Sequence, residues 1–69
     1  MTQSVTYFEV QSTSIKPGED KWINATEYGE LFQSLERAVT YISREQSRNR
    51  DLKYRVLEIT VTKVVAFEA

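Results

Sequence analysis

The chain has 69 residues and a net charge of −1, with 41% hydrophobic and 28% charged residues, so it holds one domain, residues 1–69, with a small core. It contains no cysteine and no histidine. Disulfides, nucleophile–histidine catalysis and a conventional zinc site are thereby excluded. Its two glycines, Gly18 and Gly29, make no phosphate-cradling loop.

The first predicted strand is Val5–Thr13, rich in β-branched and aromatic residues. Phe8 and Val10 share the face expected to point inward, and Tyr7, Glu9 and Gln11 share the other. Lys16-Pro17-Gly18-Glu19-Asp20 is the clearest break. Proline presets φ and glycine accepts a positive φ at the two central positions of a type II turn. A second strand over Lys21–Thr26 completes an antiparallel hairpin, with Trp22 and Ile23 on opposite faces. After a short connection, Tyr28–Phe32, Ser34 is placed as a helix N-cap, and Glu36 in the first turn complements the helix dipole. Leu35, Ala38, Val39 and Ile42 recur at i, i+3, i+4 and i+7, the apolar stripe of an amphipathic helix. The helix is expected to end near Arg48–Asp51, with Asn49 as a candidate cap.

The last segment, Leu52–Phe67, reads as a strand far longer than the usual five or six or so residues. Leu57, Ile59 and Val61 are read as its inward face and Glu58, Thr60 and Thr62 as its outward face. A strand of this length must bend, bulge or extend past its own sheet. The order predicts an α+β fold of β-β-α-β pattern, one helix packed on one face of a three-stranded, mostly antiparallel sheet. The expected core is Phe8, Val10, Ile23, Phe32, Leu35, Ala38, Val39, Ile42, Leu57, Ile59 and Val61.

Charge is distributed unevenly. Residues 1–36 carry two basic against six acidic residues, a net −4; residues 37–69 carry seven against four, a net +3. The simplest reading is mutual neutralisation across the fold. Met1–Thr6 is polar, without the basic and then apolar pattern of a secretion signal, and no apolar run approaches the ~20 residues of a membrane span. The expected compartment is the cytoplasm, with no membrane contact. Asn24-Ala25-Thr26 matches the glycosylation acceptor pattern and, without a secretion signal, is read as chance.

Acidic pairs such as Glu19-Asp20 are read as solubilising rather than metal-binding, so neither a metal nor a cofactor is expected and no residue is assigned a catalytic role. Three surfaces are candidates for binding. Trp22, with Tyr7 and Tyr28, offers aromatic anchors on the sheet face away from the helix; a register shift of one residue would instead bury Trp22. Val61, Val64, Val65 and Phe67 form an apolar strand tail whose free backbone groups would pair with a second copy, giving a homodimer, or with a partner's sheet edge; alternatively the tail folds back on its own core. Arg44, Arg48, Arg50, Lys53 and Arg55 could contact nucleic-acid phosphates, or could simply solvate the helix C-terminus.

The segments Tyr7-Phe8-Glu9-Val10, Trp22, Phe32-Gln33-Ser34-Leu35-Glu36-Arg37-Ala38 and Lys53-Tyr54-Arg55-Val56-Leu57-Glu58-Ile59-Thr60 together resemble small uncharacterised accessory proteins of bacteriophages and prophages. The resemblance rests on structural motifs and carries over no site residues. It implies an accessory factor acting in the host cytoplasm; some such factors bind and block host defence proteins such as CRISPR complexes. With the reactive side chains missing, the expected function is a non-enzymatic protein-binding module of that kind. Glu19, Asp20, Glu27 and Glu30 would then be candidates to mimic phosphates. The alternative function is nucleic-acid binding through the Arg44–Arg55 surface.

Overall fold

The computed structural model describes residues 2–16, 18 and 21–69. In chain order these form strand β1 (Thr2–Ser14), β2 (Ile23–Asn24), β3 (Leu31–Phe32), helix α1 (Leu35–Gln46) and β4 (Leu52–Val64). The fold is α+β, one helix on a fully antiparallel sheet of four strands. The fourth strand is β3, two residues in the stretch read from sequence as a connection. The predicted second strand shrinks to Ile23–Asn24.

β1 is the spine of the sheet. One of its edges pairs with β4 along all 13 residues, from Thr2 opposite Val64 to Ser14 opposite Leu52, with no bulge. Its other edge takes β2 at Gln11 and Ser12 and β3 at Phe8 and Glu9. Of the three ways open to so long a strand, bending, bulging or running past its sheet, the ladder excludes a bulge and an overrun of β1. β4 ends at Val64, matched residue for residue by β1.

The register settles which side chains share a face. Phe8, Val10 and Ser12 of β1 lie with Phe32 of β3 and with Tyr54 and Val56 of β4. The helix covers this side, where the Tyr41 and Phe32 rings pack at 5.4 Å and Val10 is fully buried. Leu57, Ile59 and Val61 fall on the opposite face, the reverse of the phase read from sequence. Both faces of β4 carry apolar residues, so alternation alone could not choose between them; the pairing of Val56 with buried Val10 does.

The core is smaller than expected. Among the described residues only Val10 and Ala38 are fully buried apolar side chains. Ile23 is 56% exposed, Leu35 53%, Val39 48% and Val61 38%, so these four are not core. The helix explains the shortfall. Ala38 is buried, and Tyr41 and Ile42 are half-buried, so the packed stripe is rotated away from Leu35 and Val39.

The helix boundaries follow local chemistry. Ser34 is extended at φ −141°, ψ 151°, and its hydroxyl accepts the Arg37 amide at 3.2 Å; Glu36 sits in the first turn. The helix stops at Gln46 with Ser47 as its C-cap, earlier than Arg48–Asp51. At its end the Asn49 amide donates to the Glu45 carbonyl at 2.9 Å, without Asn49 capping it. Pro17 lies outside the described residues; Gly18 has φ +88°, close to the third-position value of about +80° in a type II turn.

Twelve helical residues span about 18 Å, whereas a 13-residue ribbon spans roughly 43 Å. The β1–β4 ribbon therefore projects beyond its cover. The molecule measures 53 × 25 × 17 Å with a radius of gyration of 15.5 Å, against ~11 Å for a compact chain of this length.

Candidate functional site

The sheet face opposite the helix is open, and its two halves differ. At the base, Gln11 of β1 lies between Arg55 of β4 and Asn24 of β2, as the register requires. Arg55 Nε donates to Gln11 Oε1 at 2.7 Å, Gln11 Nε2 donates to Glu9 Oε2 at 3.2 Å, and Asn24 Nδ2 donates to Glu9 Oε1 at 3.1 Å. A polar ladder thus crosses three strands.

Trp22 lies on this face, opposite in alternation to Ile23, which pairs with Ser12. The Arg55 guanidinium carbon is 4.2 Å from the Trp22 ring centroid, and Lys53 Nζ is 5.8 Å away. Such cation–π contacts contribute about 0.5–1 kcal/mol at exposed sites. The hydrogen bond from Arg55 Nε fixes the guanidinium against the ring rather than leaving it to swing in solvent. Thr13, on the same face, holds the approach to Trp22 by donating its hydroxyl to the Lys21 carbonyl at 2.8 Å.

The loop after β2 is tied to the same ladder. Asn24 Oδ1 accepts both the amide and the hydroxyl of buried Thr26, at 2.8 and 2.6 Å, and Thr26 Oγ1 accepts the Glu30 amide at 2.6 Å. Gly29, at φ +67°, makes the turn that an L side chain resists. Glu27, Tyr28 and Glu30 stand outward from this pinned loop, Tyr28 at 82% exposure. Both polar atoms of the Asn24 amide are engaged, which leaves its glycosylation pattern occupied structurally.

Toward the ribbon tip the open face turns apolar. Leu31 and Leu57 flank Glu9, then come Tyr7 with Ile59 and Val5 with Val61. The reverse face of the same stretch is polar: Thr6 and Thr60 hydroxyls meet at 3.3 Å, as do those of Ser4 and Thr62. The apolar side of the ribbon thus switches where the helix ends.

The predicted sites are only partly assembled by this arrangement. Tyr7 shares the face of Trp22 but lies four residues along β1 from the Arg55 row, about 13 Å. Tyr28, Glu27 and Glu30 cluster on the loop; Glu19 and Asp20 lie outside the described residues. Of the basic group, Lys53 and Arg55 meet at Trp22. Arg44 lines a hollow on the helix side with Phe32, Arg37 and Tyr41. Arg48 makes an exposed 3.9 Å contact with Glu45, and exposed Arg50 follows in the loop. Val64 is 67% exposed at the end of β4, with Val65 at 53% and Phe67 at 85% beyond it. The Trp22–Arg55 stack and the Glu9–Gln11–Asn24 ladder were missed from sequence. Their signal was the shared parity of Lys53, Arg55 and Leu57, two cations on the side read as inward.

Among the described residues no group of three or more acidic side chains is placed to hold a metal ion, and no helix is long and apolar enough to cross a membrane. No family model, curated protein or solved structure matches the chain.

Proposed function

We propose that the chain is a non-enzymatic protein-binding module. Its partner seats on the base of the open sheet face, against Trp22, Lys53 and Arg55, and reaches round the sheet edge to the loop bearing Glu27, Tyr28 and Glu30, which Tyr41 ties to the helix side. The observation that supports this most is the Trp22–Arg55 stack: an indole and a guanidinium, the side chains enriched in interface hot spots, held in place on a face no described element covers. The ladder beneath them lowers the ordering cost of binding, because the anchors are already fixed.

The resemblance to phage accessory proteins makes a host defence protein, such as a CRISPR complex, the candidate partner, met in the host cytoplasm. Glu27 and Glu30, with Glu19 and Asp20, are the acids that would mimic phosphates there. The test begins with capture from host lysate and identification by mass spectrometry. Affinity of the purified target is then compared for the wild-type chain, Trp22→Ala and Arg55→Ala. Loss of a hot spot weakens binding by roughly 30-fold or more; unchanged affinity in both variants refutes this seat.

A second reading is favoured by one observation, the presence of both Lys53 and Arg55 at the Trp22 ring. Single-stranded nucleic acid stacks bases on aromatics set among cations. Affinity for bare RNA or DNA that falls steeply with salt and disappears in Trp22→Ala would select this reading instead.

A further inference from the structure

The tip half of the open face poses a separate problem. Val5 is 40% exposed, Val61 38% and Leu31 45%, and half-buried Tyr7, Leu57 and Ile59 complete one contiguous apolar stripe on a bare ribbon. An isolated two-stranded ribbon is marginal in water, and this one has polar residues on the side the helix would have to extend along. Its cover must come from the opposite direction.

The ends of the stripe carry the clue to what that cover is. At the tip, opposite Gln3, stands Lys63; at the base, opposite Leu57, stands Glu9. No ion pair engages either charge among the described residues, and the bonds to Glu9 come from neutral amides. Between them lie two apolar rows, Val5 with Val61 and Tyr7 with Ile59. A two-fold rotation about an axis between those rows, in the plane of the face and across the strands, exchanges the Lys63 row with the Glu9 row. It also lays each apolar row on the other. The stripe is therefore self-complementary in charge and in hydrophobicity. A rotation about an axis along the strands would oppose like rows and leave both charges unmatched.

We propose that two copies of this chain pack these faces together, ribbons antiparallel, with Lys63 of each copy over Leu57 of the other and reaching diagonally to Glu9 on the neighbouring strand. Packed sheets lie about 10 Å apart, a gap the valine, isoleucine and tyrosine side chains of two copies fill. The contact is isologous and closes as a dimer. It differs from strand-edge pairing, which would leave the stripe in water. It shares Glu9 with the ladder beneath the Trp22 seat, but its apolar rows lie clear of Trp22 and Arg55, so Val61→Asp tests it without touching those anchors.

The experiment is analytical ultracentrifugation of the full chain, with folding of each variant followed by circular dichroism. Wild type is expected at twice the 8.1 kDa chain mass. Val61→Asp buries an unpaired charge on the stripe and raises the dissociation constant by roughly 100-fold or more. Thr62→Asp, one residue away on the polar face, leaves it within a few-fold. Lys63→Glu, at the exposed tip, places like charges together and weakens the dimer, and serves if Val61→Asp does not fold. A wild-type monomer up to millimolar concentration overturns the proposal. So does a Thr62→Asp effect equal to that of Val61→Asp, which signals edge pairing, or an unchanged dissociation constant in Lys63→Glu.

Discussion

The guanidinium carbon of Arg55 sits 4.2 Å from the centroid of the Trp22 ring, joining the last strand to the approach of the second. Truncation in Arg55→Ala removes this contact and the 2.7 Å bond to Gln11. The expected loss is about 1 kcal/mol, since both groups are reached by solvent. Trp22 is the sole tryptophan, so its emission reports the change directly. It should shift to the red in Arg55→Ala, and unchanged emission with unchanged urea stability would show the stack to be unoccupied in solution.

Val10 should be the most sensitive apolar position. It is fully buried between the helix and Val56, so Val10→Ala leaves a cavity costing about 2 kcal/mol. Ile23→Ala removes a side chain that is 56% exposed and should cost less than about 0.5 kcal/mol. Chemical denaturation of the two variants ranks them, and a reversed order would return Ile23 to the core.

Ser34→Ala removes the acceptor for the Arg37 amide and should lower stability by about 1 kcal/mol. Ser34→Asp keeps an acceptor and adds a charge favourable at the helix start. Thermal melts should place it close to wild type and above Ser34→Ala.

Tyr41 supplies a signature in alkali. Burial pushes its phenol above the ordinary value of 10.0, and the charges of Glu45, Tyr54 and Glu30 add to the effect, against Arg44. Below the ordinary value both folded and unfolded chains keep the proton, so the group's contribution is fully present and does not change with pH. As pH rises past it the unfolded chain ionises first, so stability falls until pH passes the raised folded value. Tyr41→Phe should remove this alkaline slope. It should also cost about 1 kcal/mol at neutral pH by deleting the 3.2 Å bond to the Ala25 carbonyl. Phenolate absorbance and stability curves against pH test both expectations.

What was legible in the sequence was the chemistry acting within a few residues. Ser34 before an amphipathic run identified the helix start, and alternation through Phe8 and Val10 identified the inner face of β1. The same alternation put Trp22 and Ile23 on opposite faces but left open which of them was buried; the pairing of Ile23 with Ser12 decides that Trp22 is on the open face. What was not legible depended on long-range pairing. β4 is apolar on both sides, and only the register with Val10 decides that Val56 rather than Leu57 meets the helix. β3 is two residues long and exists because β1 offers a free edge there. Leu35 and Val39 fit the helical stripe yet remain exposed, because Ala38 and Tyr41 set the rotation of the helix on the sheet. The polar ladder at the site belongs to the same class, assembled from three strands by register alone.

The 13-rung ladder between β1 and β4 also dictates an order of assembly. Every rung joins opposite halves of the chain, yet the Ser14–Leu52 rung closes a far shorter loop than the Thr2–Val64 rung. Closure entropy grows with loop length, so the zipper starts beside the helix and runs outward, slowly for so short a chain. Amide hydrogens in residues 60–64 should accordingly exchange with solvent well before those in residues 53–57, and the projecting end should be the last part to form and the first to fray.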